Sequence, residues 1–208
     1  MTNPWLSIPL SDYEQHMNAP SVQQAQLLAL TLHELVSIYR PASLAILGAA
    51  GGNGLEGLPK MGVKRAVAVD INASYLEAAR SRYDSRFEVF ETIQHDLSTG
   101  RPPFESVDLV VGSLVLEYID VERFLEYAHT LTTAKGVLAL VFQNREDGQA
   151  TVTPTGIPSL TTLEQIHAYP SVARISSALL EREYELDRQE TLRSHLGKSF
   201  TLLVHRKS

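Results

Sequence analysis

Apolar residues follow two rhythms along this chain. In residues 21–39, SVQQAQLLALTLHELVSIY, Val22, Ala25, Leu28, Leu32, Leu35, Val36 and Tyr39 fall on one face of a helix. Ser21 stands at the N-cap position and Pro41 stops the run. Residues 73–83, ASYLEAARSRY, repeat the rhythm with Leu76, Ala79 and Tyr83 inward, and 121–132 and 171–184 read as further helices. Between them lie short runs that are apolar throughout: Leu44 to Leu47, 65–71 (RAVAVDI), 107–116 (VDLVVGSLVL) and 136–142 (GVLALVF). Such runs of small and β-branched residues suit strands buried on both faces of a parallel sheet. Residues 87–93, FEVFETI, alternate and read as another strand. Alternating strands and helices predict an α/β fold with a doubly wound, mostly parallel sheet.

The two ends break this rhythm. Residues 1–20 hold prolines at 4, 9 and 20, yet also Trp5, Leu6, Ile8, Leu10, Tyr13 and Met17, too many large apolar groups for a free tail. They are expected to pack as an arm, with a short helix from Ser11 to Met17 in which Ser11 and Glu14 form a capping box. A short helical piece after residue 54 is expected to end at Pro59. Residues 143–162, rich in Gly, Pro and Thr, read as a long loop. Residues 184–192 and 198–205 read as two strands joined by a short link around His195 to Gly197, hence an antiparallel hairpin and a sheet of seven strands in all. The expected organisation is a single domain over 1–208: arm or lid 1–20, core 21–142, then loop, helix and hairpin 143–208.

Composition narrows the function. The 208 residues are 44% hydrophobic and 20% charged, with a formal net charge of −6 and no Lys/Arg cluster, which argues against nucleic acid as a partner. The absence of cysteine excludes disulfides, thiol nucleophiles and cysteine-bound zinc. The start, MTNPWLSIPL, is not a signal peptide, and no apolar run approaches the roughly 20 residues that span a bilayer, so no membrane partner and a cytoplasmic protein are expected. Oligomeric state leaves no mark on the sequence.

The densest chemistry is LAILGAAGGNGLE at 44–56, a buried strand running into Gly48, Gly51, Gly52 and Gly54. A strand entering a glycine-rich turn is how α/β proteins cradle nucleotide-like ligands, although ordinary tight turns also use glycine. Ligands bind outside the carboxyl ends of such strands. Those ends carry Gly48 to Gly54 with Ala49 and Ala50, then Asp70 with Ile71, then Asp96 and Leu97, then Gly112, Ser113 and Leu114 with Glu117 and Tyr118 just beyond. Asp70 follows the glycines by about 20 residues, the spacing of an acid that accepts from both hydroxyls of a ribose; the alternative is a strand-end cap. Asp96 is placed to accept from an adenine amino group, or simply to form a turn.

In this order the segments resemble the motifs of class I S-adenosylmethionine-dependent methyltransferases. GAAGGNG is similar to the family's first motif, with Gly48 and Gly52 at the outer glycines and Ala50 at the middle one. VAVDIN resembles the second with Asp70 in the ribose place, and QHDL the third with Asp96 and Leu97 at the adenine. VDLVVGSLVLEYI, then a helix and LTTAKGVLALVF, resembles the fourth strand and the ending that follows it, and the hairpin at 184–205 the last two strands. The resemblance covers about 21–142 and the hairpin. It implies a Rossmann-like sheet, S-adenosyl-L-methionine as cofactor and transfer of a methyl group to an acceptor. The cofactor set expected on it is Gly48, Ala49, Ala50, Gly52, Asp70, Ile71, Asp96, Leu97 and Ser113, with Tyr13 added from the arm.

Two positions depart from the family. An acid usually stands two residues before the first glycine and helps position the methionine end of the cofactor; here it is Ile46, and Ala50 replaces a usual glycine. Tyr13 and His16 in the arm are the candidates to compensate. A base is needed only if the acceptor carries a proton that must leave. Glu117 and His16 are the candidates, against a solvated charge at a helix start and a surface histidine. Tyr118 is placed to line an acceptor pocket or to pack. His33, His129 and His167 are assigned to helices away from the strand ends, as structural residues. No metal is expected, since no His or acidic pair combines ligand spacing with a strand-end location. The arm and the loop at 143–162 are expected to cover the site, which suits a small-molecule acceptor.

Two other readings stand beside this one. LGAAGGNG also resembles the glycine loop of malate dehydrogenases, a route to NAD. Against it are the chain's length, Pro59 where a long helix should run, the terminal hairpin, and the absence of any Tyr-x-x-x-Lys pair. The third reading, prompted by Ile46, is a domain that binds the cofactor without transferring a methyl group.

Overall fold

The computed structural model describes residues 3–194 and 197–208. Its strands are β1 (Ser43–Leu47), β2 (Arg65–Asp70), β3 (Val89–Gln94), β4 (Val107–Ser113), β5 (Thr132–Gln143), β6 (Tyr184–Arg193) and β7 (Ser199–Lys207). They form one seven-stranded sheet in the order β3-β2-β1-β4-β5-β7-β6. All pairs are parallel except those of β7, which runs antiparallel to both β5 and β6. The order turns back between β1 and β4, and a crevice opens beyond the strand ends at such a reversal.

Helices α1 (Leu10–Asn18), α2 (Gln24–Tyr39), α3 (Ala73–Tyr83), α4 (Val121–Leu131) and α5 (Val172–Leu180) cover the sheet. Alternation along each strand divides the core in two. Leu44, Ile46, Ala66, Ala68, Leu109 and Val111 pack under α2 and α3, against Leu32, Leu35, Val36, Leu76 and Tyr83. Ala45, Leu47, Val67, Val69, Val110 and Leu138 face the other way, under Phe124, Leu131, Ile175 and Leu179 of α4 and α5. A sheet buried on both faces is what the uninterrupted apolar runs implied. Among the described residues no helix is long and apolar enough to cross a membrane.

Several boundaries differ from the sequence reading. α1 has Pro9 at its N-cap with no side-chain cap, because Glu14 reaches instead to Arg82 on α3. α2 starts at Gln24, after a left-handed Gln23 (φ 49), rather than beside Ser21. Pro59 sits in the first turn of a 3-10 helix, Leu58–Met61, and so begins that piece instead of ending it. α5 stops at Leu180 and Tyr184 already belongs to β6. The loop after β5 carries a 3-10 helix, Pro158–Gln165, whose Leu160 and Leu163 pack with Ile8 and Trp5 of the arm. Of the link expected around His195 to Gly197, His195 and Leu196 lie outside the described residues.

The glycine loop is held by close packing as much as by its turns. Gly52 has φ +84, and a Cβ built there would lie 2.7 Å from the Tyr83 ring. Gly52→Ala combines left-handed strain with overpacking, and is expected to cost about 2 kcal/mol or more of unfolding free energy in urea melts. An unchanged midpoint would show that Tyr83 yields freely.

Candidate functional site

Asp70 closes β2 at 8% exposure. Its Oδ2 accepts from the Ala50 N–H at 2.8 Å and its Oδ1 from the Asn72 N–H at 2.9 Å. The N–H groups of Gly48 and Ala49 both donate to the Val69 carbonyl, at 2.9 and 3.0 Å. The glycine loop is thereby folded onto the end of β2, with Ala50 held left-handed at φ 46. Burial raises the Asp70 pKa, and the N–H groups of Asn72, Ala50 and Ile71 oppose that rise.

Asp70, Ile71, Asp96, Leu97 and Ser113 line one cleft of about 80 Å³, together with Ala50 and Tyr75. Asp96 also forms a turn, its Oδ1 accepting from the Ser98 N–H at 2.8 Å. Leu97 is buried, and its carbonyl accepts from the Tyr127 hydroxyl at 2.9 Å. The arm closes this cleft. The Trp5 carbonyl accepts from Asn72 Nδ2 and the Ile8 carbonyl from the Tyr75 hydroxyl, each at 2.9 Å. Trp5 meets Tyr13 and Tyr118 edge-on, with centroids 5.7 and 5.1 Å apart, and Tyr13 stacks on Tyr75 at 6.3 Å.

A second cavity, of about 390 Å³, lies over Gly48, Ala49 and Ala50 and the ends of β1 and β4, under α1 and α2. Its floor is apolar: Ile46, 7% exposed, stands there with Val111, and Leu28 and Leu32 descend from α2. Its charges come from Glu14, Glu56 and Arg82. Arg82 donates to both carboxylate oxygens of Glu14 and, at 3.1 Å, to the Gly51 carbonyl. Gly52 lines neither cavity; its N–H donates to the Ala49 carbonyl at 2.9 Å and it faces Tyr83.

A third cavity, of about 50 Å³, is walled by His16, Glu117, Tyr118, Gln143, His167 and Lys198. Leu114 leads the chain there: left-handed at φ 55, it turns away from β4 while its N–H donates to the Val141 carbonyl at 2.8 Å. A non-glycine residue in that conformation stores strain, as happens at ligand sites. Glu117 is 1% exposed. Its Oε1 accepts from the Gln143 N–H at 2.7 Å, while its Oε2 has no partner. Burial pushes its pKa up to about 7. His16 is buried rather than on the surface, with Nδ1 2.9 Å from Thr155 Oγ1; burial and the Lys198 charge push its pKa down to about 4. Tyr13 lines all three cavities, and burial raises its hydroxyl pKa.

The structure adds three residues the sequence did not offer. Lys198 donates to the Thr151 carbonyl at 2.6 Å and to Gln143 Oε1 at 3.3 Å, and burial lowers its pKa to about 8. Gln143 ends β5 and so touches both Glu117 and Lys198. His167 lies in the loop after the 3-10 helix Pro158–Gln165 and lines the cavity, not in a helix away from the site. Its Nδ1 has no partner, and burial lowers its pKa to about 4. A lone lysine entering the apolar run SFTLLV was the one signal available. His33 and His129 do lie in helices, on α2 and α4. Among the described residues no cluster of metal-ligating side chains occurs.

Residues 46–140 match the methyltransferase-domain family. Magnesium protoporphyrin IX methyltransferase from Synechocystis PCC 6803, solved with bound S-adenosylhomocysteine, is similar with a TM-score of 0.71 at 15% identity, over 98% of this chain and 96% of that one. An S-adenosylmethionine-dependent methyltransferase from Mesorhizobium loti gives 0.61 at 18% identity, over 79% and 90%. The cyclase SpnF gives 0.67 at 13% identity, over 90% and 83%. At such identities the likeness is one of fold, and the same fold serves a cyclase as well as methyltransferases. No curated protein matches the sequence.

Proposed function

We propose, from the premise that residues 46–140 are a class I methyltransferase domain, that the protein binds S-adenosylmethionine across the two clefts and transfers its methyl group to a small cytoplasmic molecule in the third cavity. The observation that carries this reading is the shared wall at Tyr13, where the cleft of Asp70 and Asp96, the glycine-loop cavity and an acid-bearing pocket meet. The residues fit the cofactor. An ionised carboxylate offers about four acceptor sites, and the N–H groups of Ala50 and Asn72, with that of Ile71 close by, take two or three on Asp70, leaving room for a ribose hydroxyl. Asp96 and Leu97 line the same cleft as Asp70, and this reading gives them to the adenine. Glu14 and Arg82 supply opposite charges for the amino and carboxylate groups of the methionine end, in place of the acid absent at Ile46.

When bound, S-adenosylmethionine would supply an electrophilic methyl group on a sulfonium. The chain's own part is to align and to enclose, which is worth at best about 7–11 kcal/mol of barrier. Trp5, Tyr13 and Tyr118 shut out water, and the open oxygen of Glu117 receives a proton from the acceptor. His16, neutral near pH 7, shapes the pocket wall.

Titration calorimetry with S-adenosylhomocysteine, beside NAD⁺ and NADH, tests the reading. Micromolar binding of S-adenosylhomocysteine alone is expected. Binding of NADH alone would sink the proposal, though the 3-10 helix Leu58–Met61 already stands where a dinucleotide enzyme places its long helix. Glu14→Gln is expected to weaken S-adenosylhomocysteine binding three- to tenfold, as suits a partly exposed charge pair. Unchanged affinity would remove Glu14 from the site.

A further inference from the structure

We infer that the methyl acceptor is a small carboxylic acid methylated on its own amino or hydroxyl group, its carboxylate against Lys198 and its N–H or O–H against Glu117 Oε2. This rests on the methyltransferase reading above. Two groups in the third cavity lack what buried charges need. Glu117 is 1% exposed and one of its oxygens accepts nothing, where native proteins almost always provide a partner. Lys198 is 9% exposed, and both its partners, Gln143 Oε1 and the Thr151 carbonyl, are neutral. Among the described residues no carboxylate lies within ion-pair distance of it; the acid whose charge it feels is Glu164. A buried ammonium is normally paired, and this one keeps a third donor in hand.

Gln143 ties the two together, donating its N–H to Glu117 and accepting from Lys198 through its side chain. Both groups wall the same small cavity, of about 50 Å³, so one compact ligand can meet both. The other walls add no charge, because His16 and His167 are neutral near pH 7.

The alternatives leave one of these groups unmet. A carboxylate that became a methyl ester would bring no proton to Glu117 and would set a second negative charge beside it. A simple amine or alcohol would leave Lys198 without an anion. With both functions on one molecule, the acceptor's lone pair forms the bond to carbon, the S–C pair stays on sulfur, and the proton lost by nitrogen or oxygen passes to Glu117 Oε2.

The test uses the full chain, S-adenosylmethionine labelled in its methyl group, and a panel of small amino and hydroxy acids (glycine, β-alanine, lactate, 3-hydroxypropionate), each beside its amide and its decarboxylated analogue. Transfer to the nitrogen or oxygen of at least one acid is expected, at least a hundredfold above its amide. Lys198→Met should raise KM for that acid at least tenfold while changing that for the amide less than threefold. Lys198→Gln serves if the methionine variant fails to fold. Calorimetry with S-adenosylhomocysteine on the same preparations separates the outcomes. If it binds but no acid is methylated, or amides and amines serve as well as acids, or the product is an ester, the inference is overturned and the methyltransferase reading stands. If it does not bind, that reading itself falls.

Discussion

Asp70→Ala is expected to weaken S-adenosylhomocysteine binding at least a hundredfold and to lower the urea midpoint of the protein without ligand. Asp70 serves two structures at once. It accepts from the N–H of Ala50 in the loop and of Asn72 at the start of α3, and it lines the cleft proposed for the nucleoside. Hydrogen bonds to a charged group contribute about 1.5–3 kcal/mol each, and a buried donor left without a partner costs about as much. Alanine removes the acceptor from both N–H groups and from the ribose, so the loop loses its brace and the ligand its anchor. Asp70→Asn keeps an oxygen for one of the two, and its affinity should fall between parent and alanine. Binding by Asp70→Ala within threefold of the parent would show that the ribose lies elsewhere.

Glu117→Gln separates activity from stability. It should lower kcat about a hundredfold or more while leaving S-adenosylhomocysteine affinity within twofold, because the proposed role of Glu117 is in the chemical step and Glu117 does not line the two clefts proposed for the cofactor. In the parent, kcat/KM should rise with pH as Glu117 ionises around 7, and this limb should vanish in the variant. Stability moves the opposite way. The folded pKa, about 7, lies above the ordinary 4.5, so the contribution of Glu117 is fully present below 4.5 and is lost as pH rises through about 7. The loss is on the order of 3 kcal/mol. Glutamine cannot ionise, so the variant should gain about that much relative to the parent between pH 4.5 and 8 in parallel urea melts. A variant that loses activity without this gain would show that Glu117 reaches solvent.

The framework was legible because it follows from local rhythm. α3 runs from Ala73 to Tyr83, as its apolar spacing implied, and the apolar runs at 44–47 and 65–71 became adjacent parallel strands. The ends of elements were less legible, because distant partners overrode local signals. Glu14 could have joined Ser11 in a capping box, but Arg82, far along the chain, offers it a charged partner and the cap goes unused. Pro59 reads equally as a stop or a first turn, and only the chain around Leu58 decides. The same division holds at the candidate site. Asp70, Asp96 and Glu117 announce themselves by following strands. Lys198 and His167 come from the hairpin and a loop, and their meeting with Glu117 depends on β7 entering the sheet beside β5.

That entry sets an order on how the protein is made. β7 is nine residues long, follows every other strand in sequence, and lies between β5 and β6. A ribosome delivers β6 before β7, so β5 and β6 have no shared neighbour until residues 199–207 emerge. Lys198 precedes them directly. Sheet closure and the arrival of the cation at the third cavity are therefore one event. A stop codon before position 198 would leave the glycine loop, Asp70 and Asp96 intact in sequence while removing both the strand that seals the sheet and the charge facing Gln143. Such a product should be recognised by quality-control proteases through the bare edge of β5, well before any loss of catalysis could be measured.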